Sequence, residues 1–542
     1  MQHRVERLVL ANFCVAFATF AVASILGAWQ MLERSPLPAP FRLPEVYFAS
    51  VTLHGVSMAY VLTIFFAAGF GYFVAVTTLD RPLPGRWAAW AGFWISLVGV
   101  VVTVIPILMN RASVLFTFYP PLTASLYFYL GLILVVVGSW IWAVLMIWAM
   151  AGWKRENPGR PVPLAMYATV ANAILWLWTT AGVAVELLFQ VVPSALGLSP
   201  TIDVGLARTL FSWTLHPIVY FWLIPAYIGF YTLLPRAAGG RLYSDTMARF
   251  SFALLVVYSL PVGMHQLFMD PEHGVGFKYL QMSLTVLVTV PTLLTIFTIT
   301  ASLEIAGRVA GGTGLFGWIR KLPWRNPTML AGGLSFVMLG LGGFGGTVNM
   351  SYAMNTLVHN TTWVTAHFHL IFGGSVVIMY FAIANELWPK LVGRQARSFG
   401  PLRLQLWLWF IGMMVMSLPW HALGLAGQPR RVATYDYSDP AVVAWGNWTI
   451  VSVIGGFIML AGALLFVWNL ATLYNGAPVA ERGFRYARAV HEPHRLPATL
   501  NGFALWNTVI ALLMLVAYAY PIAEFFIIDS KPALVHRVEA GR

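Results

Sequence analysis

Within a long apolar run the chain reads Val358-His359-Asn360-Thr361-Thr362-Trp363-Val364-Thr365-Ala366-His367-Phe368-His369-Leu370. Two residues turn a helix through about 200°, so His367 and His369 face opposite sides of one segment. Neutral imidazole is a strong metal ligand and the usual axial ligand of haem iron. One helix of this kind can stand between two haems and ligate both. Three more histidines fall in apolar stretches: His54 in Leu-His-Gly-Val, His216 in Trp-Thr-Leu-His-Pro-Ile-Val-Tyr, and His265 in Pro-Val-Gly-Met-His. An ionisable side chain at membrane depth is costly and reads as functional by default. Helix packing through a carbonyl is the blander account, and five such histidines in four stretches argue against it. His216 and Tyr220 share a helix face at i, i+4, with Pro217 removing a backbone donor between them. A phenol beside a metal-bound imidazole can hold one electron and one proton in reserve. His3, His491, His494 and His536 fall in terminal or loop segments, His273 in an outside loop, and His421 near the end of a span.

These residues need a scaffold, and the composition supplies it. Of 542 residues, 59% are hydrophobic and only 9% charged, with a mean hydropathy of +0.75. Soluble proteins carry about 25% charged residues, and a bilayer crossing needs about 20 apolar ones. Apolar blocks give thirteen spans, near 10–32, 50–79, 88–109, 122–151, 165–190, 205–235, 248–269, 279–305, 329–347, 359–388, 404–426, 443–474 and 499–528. The expected fold is an all-α membrane protein, a bundle of about 13 transmembrane helices; that it encloses two haems and a second metal is what a family resemblance, carried by the histidine motifs, implies. We expect one membrane domain over 1–542, without repeats or low-complexity tracts.

The net charge of +13 does not call for nucleic acid. Lys154, Arg155 and Arg160, then Arg308, Arg320, Lys321 and Arg325, then Lys390, Arg394, Arg397 and Arg403, all fall in loops on one side. That is the positive-inside rule. It orients the chain with the N-terminal segment, Arg4 and Arg7 included, on the cytoplasmic side of the cell's inner membrane. The single cysteine, Cys14, excludes an intrachain disulfide or thiolate cluster, so any paired-cysteine copper centre belongs to another subunit. A secondary transporter would show matching halves with broken helices, and none are found.

His-Pro-Ile-Val-Tyr, Val-His-Asn-Thr-Thr-Trp with His-Phe-His, and Pro-Val-Gly-Met-His together resemble subunit I of the haem–copper oxidases. The likeness covers nearly the whole chain, including Tyr-Pro-Pro-Leu at 119–122 and Gln-Pro-Arg-Arg at 428–431. Ile218 stands where A-type members have glutamate, so the chain looks like the B-type branch known from thermophilic bacteria. The resemblance implies that His54 and His369 are the axial ligands of a low-spin haem, b-type by likeness. It implies that His367 is the proximal ligand of a high-spin haem of a- or b-type. His216 and His265 match ligands of the second metal, copper in the oxidases, and Tyr220 matches the tyrosine covalently joined to the first of them. His359, Asn360, Arg430 and Arg431 match residues near the haem propionates, where guanidinium binds carboxylate bidentately. The implied reaction reduces oxygen to water, with electrons from a cytochrome c-like donor through a subunit II carrying dinuclear copper.

Two positions depart from the family. Gln266 replaces a third histidine ligand, and an amide oxygen is a harder, weaker donor than imidazole. This admits non-haem iron, and with it nitric oxide reduction on the same scaffold as the alternative. Retention of Tyr220, suited to splitting the O–O bond, favours oxygen. Asn355 stands where close relatives have aspartate near a propionate, which changes charge and proton affinity there. Oxygen reduction consumes protons, and Tyr220, Tyr227 and Tyr231 are seven and then four residues apart, close to one helical face. With Thr292 and Thr295 they resemble the B-type proton pathway, hydroxyl-mediated packing being the alternative. A gas sensor without turnover would need no such supply. Glu186 is a further intramembrane acid, either a proton carrier or a residue at a subunit contact. Trp363, one turn before the haem ligands, is expected near a haem edge, ordinary helix packing being the alternative.

Overall fold

A computed structural model describes residues 5–479, 483–527 and 537–539; His3, Arg4 and His536 lie outside these. Thirteen long apolar helices dominate it: α1 Glu6–Glu33, α2 Pro44–Leu79, α3 Arg86–Leu108, α4 Leu126–Glu156, α5 Leu164–Ala195, α6 Val204–Ala237, α7 Asp245–Leu267, α8 Val275–Val309, α9 Pro327–Met350, α10 Thr362–Val392, α11 Gly400–Leu425, α12 Gly446–Thr472 and α13 Ala504–Ile527. Every expected span is present, with shifted ends. The second begins at Pro44 because proline suits a first helical turn. A two-stranded antiparallel ribbon, Thr201–Asp203 with Arg537–Glu539, is the only sheet among the described residues.

Several spans are interrupted where the histidines stand. Pro217 breaks α6 directly after His216, giving regular helix over Val204–Leu215 and again over Pro217–Thr232. His265 lies in a 3-10 turn, Leu260–Leu267, that closes α7. His369 opens a π-helical stretch, His369–Val376, inside α10. Three residues after His54, α2 widens into another, Ser57–Leu62. Such irregular turns re-aim side chains and release carbonyls from the regular ladder.

Glycine sets how closely the spans approach. At Gly412 of α11 an added Cβ would stand 2.4 Å from the Met459 nitrogen, and at Gly455 of α12 it would stand 2.4 Å from the Met416 nitrogen. The two backbones therefore touch, the small-residue contact by which membrane helices associate without a hydrophobic drive. Gly343, by contrast, meets nothing within 4 Å. Gly455→Val should lower the thermal midpoint of the detergent-solubilised protein, since overpacking costs about 1–3 kcal/mol. Gly343→Ala should leave the midpoint unchanged or raised, because alanine is the better helix former by about 0.8–1 kcal/mol.

Candidate haem and metal centre

The histidines gather in two groups. In the first, His54 of α2 bonds through Nδ1 to the Ala23 carbonyl of α1 at 2.7 Å. His369 of α10 bonds through Nδ1 to the Thr365 carbonyl at 2.8 Å, and its ring meets Trp420 of α11 at 5.3 Å. The two imidazoles lie close enough for a charge on one to be felt by the other. Gly27 leaves room for His54, since a Cβ there would approach its Cε1 to 3.0 Å.

In the second, His367 bonds through Nδ1 to the Gly342 carbonyl of α9 at 2.7 Å. Gly345 and Gly346 clear space beside it; a Cβ at Gly346 would lie 2.9 Å from its Cε1. His216 and His265 face each other with ring centroids 4.4 Å apart, and Tyr220 lies 5.0 Å from His216. His265 is held at Nδ1 by the Val262 carbonyl at 2.5 Å and by the Thr285 hydroxyl of α8 at 3.3 Å. Its Nε2 meets the Gln266 amide at 2.9 Å. The buried Nε2 of His216 has no partner among the described residues. Among those residues no three His, Cys, Asp or Glu side chains lie close enough together to hold one ion, and the Gln266 amide stands beside His265 as a further polar group.

One pattern runs through both groups. Four imidazoles, His54, His265, His367 and His369, are fixed at Nδ1 by a main-chain carbonyl. That bond sets the tautomer and leaves the lone pair on Nε2, the usual arrangement of a metal-ligating histidine. His54, His367, His369 and Tyr220 also keep accessible surface at mid-helix. His54 and His367 reach across to neighbouring helices, so the exposed edges of the histidines line interior space rather than lipid. The site fits two haems and a metal by donor chemistry, by the orphaned His216 nitrogen and by the glycine cradle.

At one end of the bundle two loops brace each other. The Arg430 backbone N–H donates to the Asn360 carbonyl at 2.9 Å, and Thr362 N–H to the Gln428 carbonyl at 2.9 Å. Asn360 and Arg431 both have positive φ, 58° and 61°; asparagine tolerates this, whereas arginine there marks an imposed conformation. Arg430 Nη2 donates to Asn360 Oδ1 at 3.1 Å. Burial, then the adjacent Arg431 cation, pushes the Arg430 guanidinium down to about 9, with Tyr119 opposing. Burial raises the Tyr119 phenol, but Arg431 and Arg208 outweigh it and bring the group down. Paired cations that crowd each other this way call for an anion, and a carboxylate is the matching shape. Burial, Arg430, Arg208 and Arg431 together hold His359 at about 4, so it is neutral at physiological pH. Its Nδ1 lies 3.0 Å from Asn355 Oδ1.

The expected proton stripe is assembled in part. Tyr227 donates to Thr292 at 3.3 Å, and Tyr231 to Thr295 at 2.8 Å. No hydrogen bond joins Tyr220 to Tyr227 among the described residues. Trp363 donates to the Gly345 carbonyl at 3.3 Å and packs on His421 at 4.7 Å. Sequence reasoning missed Ser251 of α7, which meets Thr295 at 2.8 Å, and Thr285 on His265. It also gave no role to Tyr119 or His421. Ser251 left one signal, a hydroxyl in an apolar span, which Tyr258 and Ser259 share. His421 left none, yet its Nδ1 also takes a carbonyl, that of Ser417 at 2.9 Å.

Residues 7–458 match the family model described as Cytochrome C and Quinol oxidase polypeptide I. The chain is 38% identical to cytochrome c oxidase subunit 1 of Thermus thermophilus, over 96% of this chain and 95% of that one. It is 27% identical to cytochrome c oxidase subunit 1 of Synechocystis, covering 86% and 84%. A solved heme-copper terminal oxidase dimer superposes with a TM-score of 0.93 at 32% identity, covering 99% of this chain and 95% of that chain.

Asn355→Asp should return a carboxylate beside His359 and raise its titration. A charge at hydrogen-bonding distance shifts such a group by about 1–3 pH units. The midpoint should move up from about 4 toward the neutral range, read by pH-dependent infrared bands of isotope-labelled histidine.

Proposed function

This chain belongs to the family of cytochrome c and quinol oxidase polypeptide I, the haem–copper oxidase subunit I family, and within it we propose a B-type oxygen-reducing centre held by the residues above. It is a multi-pass membrane oxidoreductase, the catalytic subunit of a terminal oxidase that works with haems, copper and a subunit II partner. Nitric oxide reduction is not favoured, since the matched relatives are named oxidases.

His54 and His369 would hold the low-spin haem, b-type in this reading, and His367 the high-spin haem of a- or b-type. His216 and His265 would hold copper. Gln266 would complete that site through its amide oxygen, which half a turn of the amide brings to the side now bonded to His265. His359, Asn360, Arg430 and Arg431 would receive the propionates. When bound, the haems and copper supply one-electron transfer and the site where oxygen is bound and reduced. The chain's own residues do the rest. Carbonyl-fixed imidazoles keep Nε2 aimed and neutral, so ligation needs no deprotonation. The paired arginines offset carboxylate charge at the mouth. Tyr220 stands beside His216 as a donor of one proton and one electron. Tyr231 and Tyr227, relayed through Thr295, Ser251 and Thr292, carry protons from the cytoplasmic side toward it. The whole chain, 1–542, acts as one membrane domain in the inner membrane, N-terminus inside, fed by a cytochrome c-like donor through dinuclear copper in subunit II.

The observation that carries the reading is the convergence of His216, His265 and His367 around one pocket while His369, two residues on, pairs with His54. Turnover of the purified complex should be measured with oxygen and with nitric oxide separately, alongside metal analysis. Oxygen consumption, two haems and one copper per subunit I are expected. His265→Ala should cost more than the roughly 10–100-fold that loss of an outer-shell partner costs. Full activity in that variant, or iron in place of copper, would refute the assignment.

A further inference from the structure

Between α8 and α9 the chain makes a compact loop, 310–326, that sets large apolar side chains among cations. Leu315 and Phe316, consecutive in sequence, are 75% and 68% exposed. A short helical turn, Gly317–Lys321, follows them, and Arg320, Lys321 and Arg325 are all exposed. No Asp or Glu occurs from 305 to 326, and the nearest acid, Glu304, is taken by Arg308 at i, i+4. Arg320, Lys321 and Arg325 enter no ion pair among the described residues.

Packing imposes this exposure. Trp318 is buried against the end of α8, where a Cβ at Gly307 or Gly312 would run into its backbone. Its indole donates to the Leu315 carbonyl at 2.9 Å. Trp324 donates to the Ile319 carbonyl at 2.8 Å, and a Cβ at Gly333 of α9 would meet its ring. With both tryptophans committed to the helices, Leu315 and Phe316 are left outward. The depth of the loop follows from α8. An exposed apolar stripe, Val286, Val290, Leu293 and Phe297, runs down that helix and gives way to the Glu304–Arg308 ion pair, which marks the level of headgroups and water. The loop begins two residues later, at the membrane surface. Apolar and aromatic side chains at that level enter the interfacial layer, and cations beside them meet lipid phosphate. Guanidinium suits phosphate because it binds bidentately. The loop after α4, on the same side, carries Lys154, Arg155 and Arg160 but exposes no large apolar side chain.

We propose that the 310–326 loop is a membrane-surface anchor that binds anionic phospholipid. Leu315 and Phe316 enter the interfacial layer, and Arg320, Lys321 and Arg325 engage the headgroup phosphates. The proposal is independent of the oxidase chemistry. It rests on the proposed orientation only for the leaflet, which is then the cytoplasmic one.

A fluorophore on Thr313→Cys, an exposed loop position, in a Cys14→Ser background of the intact complex provides the test. In vesicles, quenching by phosphatidylglycerol with brominated chains should exceed quenching by brominated phosphatidylcholine several-fold. Adding Arg320→Gln with Lys321→Gln should abolish that preference. Leu315→Ser with Phe316→Ser, which leaves the charge unchanged, should reduce quenching by both lipids several-fold. Arg155→Gln with Arg160→Gln removes the same charge elsewhere on that side and should change neither. Equal quenching by the two lipids, or equal loss in the Arg155/Arg160 variant, would overturn the proposal. Absence of quenching by either lipid would put the loop in water or against a partner subunit, and would overturn it too. Inorganic phosphate at matched ionic strength should not relieve the quenching; relief would show a site for free anions instead of lipid. Reaction of Thr313→Cys with an impermeant thiol reagent from outside intact cells would overturn the proposed orientation, and with it the leaflet, whatever the quenching shows.

Discussion

A single bond recurs at four of the five histidines proposed as ligands: an imidazole Nδ1–H given to a main-chain carbonyl inside an apolar helix. In water such a bond would be worth little. In a membrane interior the alternative is an unsatisfied N–H, which costs several kcal/mol, so the ring has one orientation and one tautomer. Once Nδ1 is committed, Nε2 carries the lone pair and points where the helix aims it. The glycines at 27, 342, 345 and 346, and the irregular turns beside His54, His265 and His369, accompany that requirement. They bring a carbonyl within reach and clear the space that a Cβ would fill.

The spacing of His367 and His369 acquires its meaning from this. Two residues apart on one helix, the rings diverge, but divergence alone would leave two loosely rotating side chains. His367 is tied across to α9, whereas His369 is tied back into its own helix at Thr365. One therefore looks toward His216 and His265, the other toward His54. The change from α to π winding at His369 falls at the point where the helix must serve both sides. In the proposed reading, a short, fixed separation between two haems thus comes from two residues of backbone, little more than half a turn, rather than from a flexible linkage.

Much of this was legible in the sequence, for physical reasons. The bilayer permits only long apolar helices, so all thirteen spans could be read from hydropathy. Histidine at membrane depth is too costly to be incidental, so His54, His216, His265, His367 and His369 stood out, as did the Pro217 break. The π-helical turns at 57–62, 187–191 and 369–376 were not legible, since no proline or charge marks them. Partners contributed across helices were also hidden. Ser251 and Thr285 look like any hydroxyl in a span until tertiary packing sets them on Thr295 and His265. Glu186 was readable as an acid in a membrane but not as one facing inward. Only burial separates those two fates.

Gln266 is where the chain's own chemistry shows most. An amide and an imidazole are both neutral, so the exchange leaves the net charge of the pocket unaltered; what changes is donor strength. If His216, His265 and Gln266 hold the metal as proposed, a weaker third donor shifts the burden of retaining it onto the two imidazoles and onto enclosure. The structure distributes that burden unevenly. His265 is gripped at Nδ1 by both a carbonyl and the Thr285 hydroxyl and touched at Nε2 by Gln266 itself, whereas His216 keeps its Nε2 unpaired. A donor held from two sides loses little entropy on binding, and an orphaned buried nitrogen regains the pairing that desolvation took from it. Both effects favour ligation, and both act without the missing imidazole.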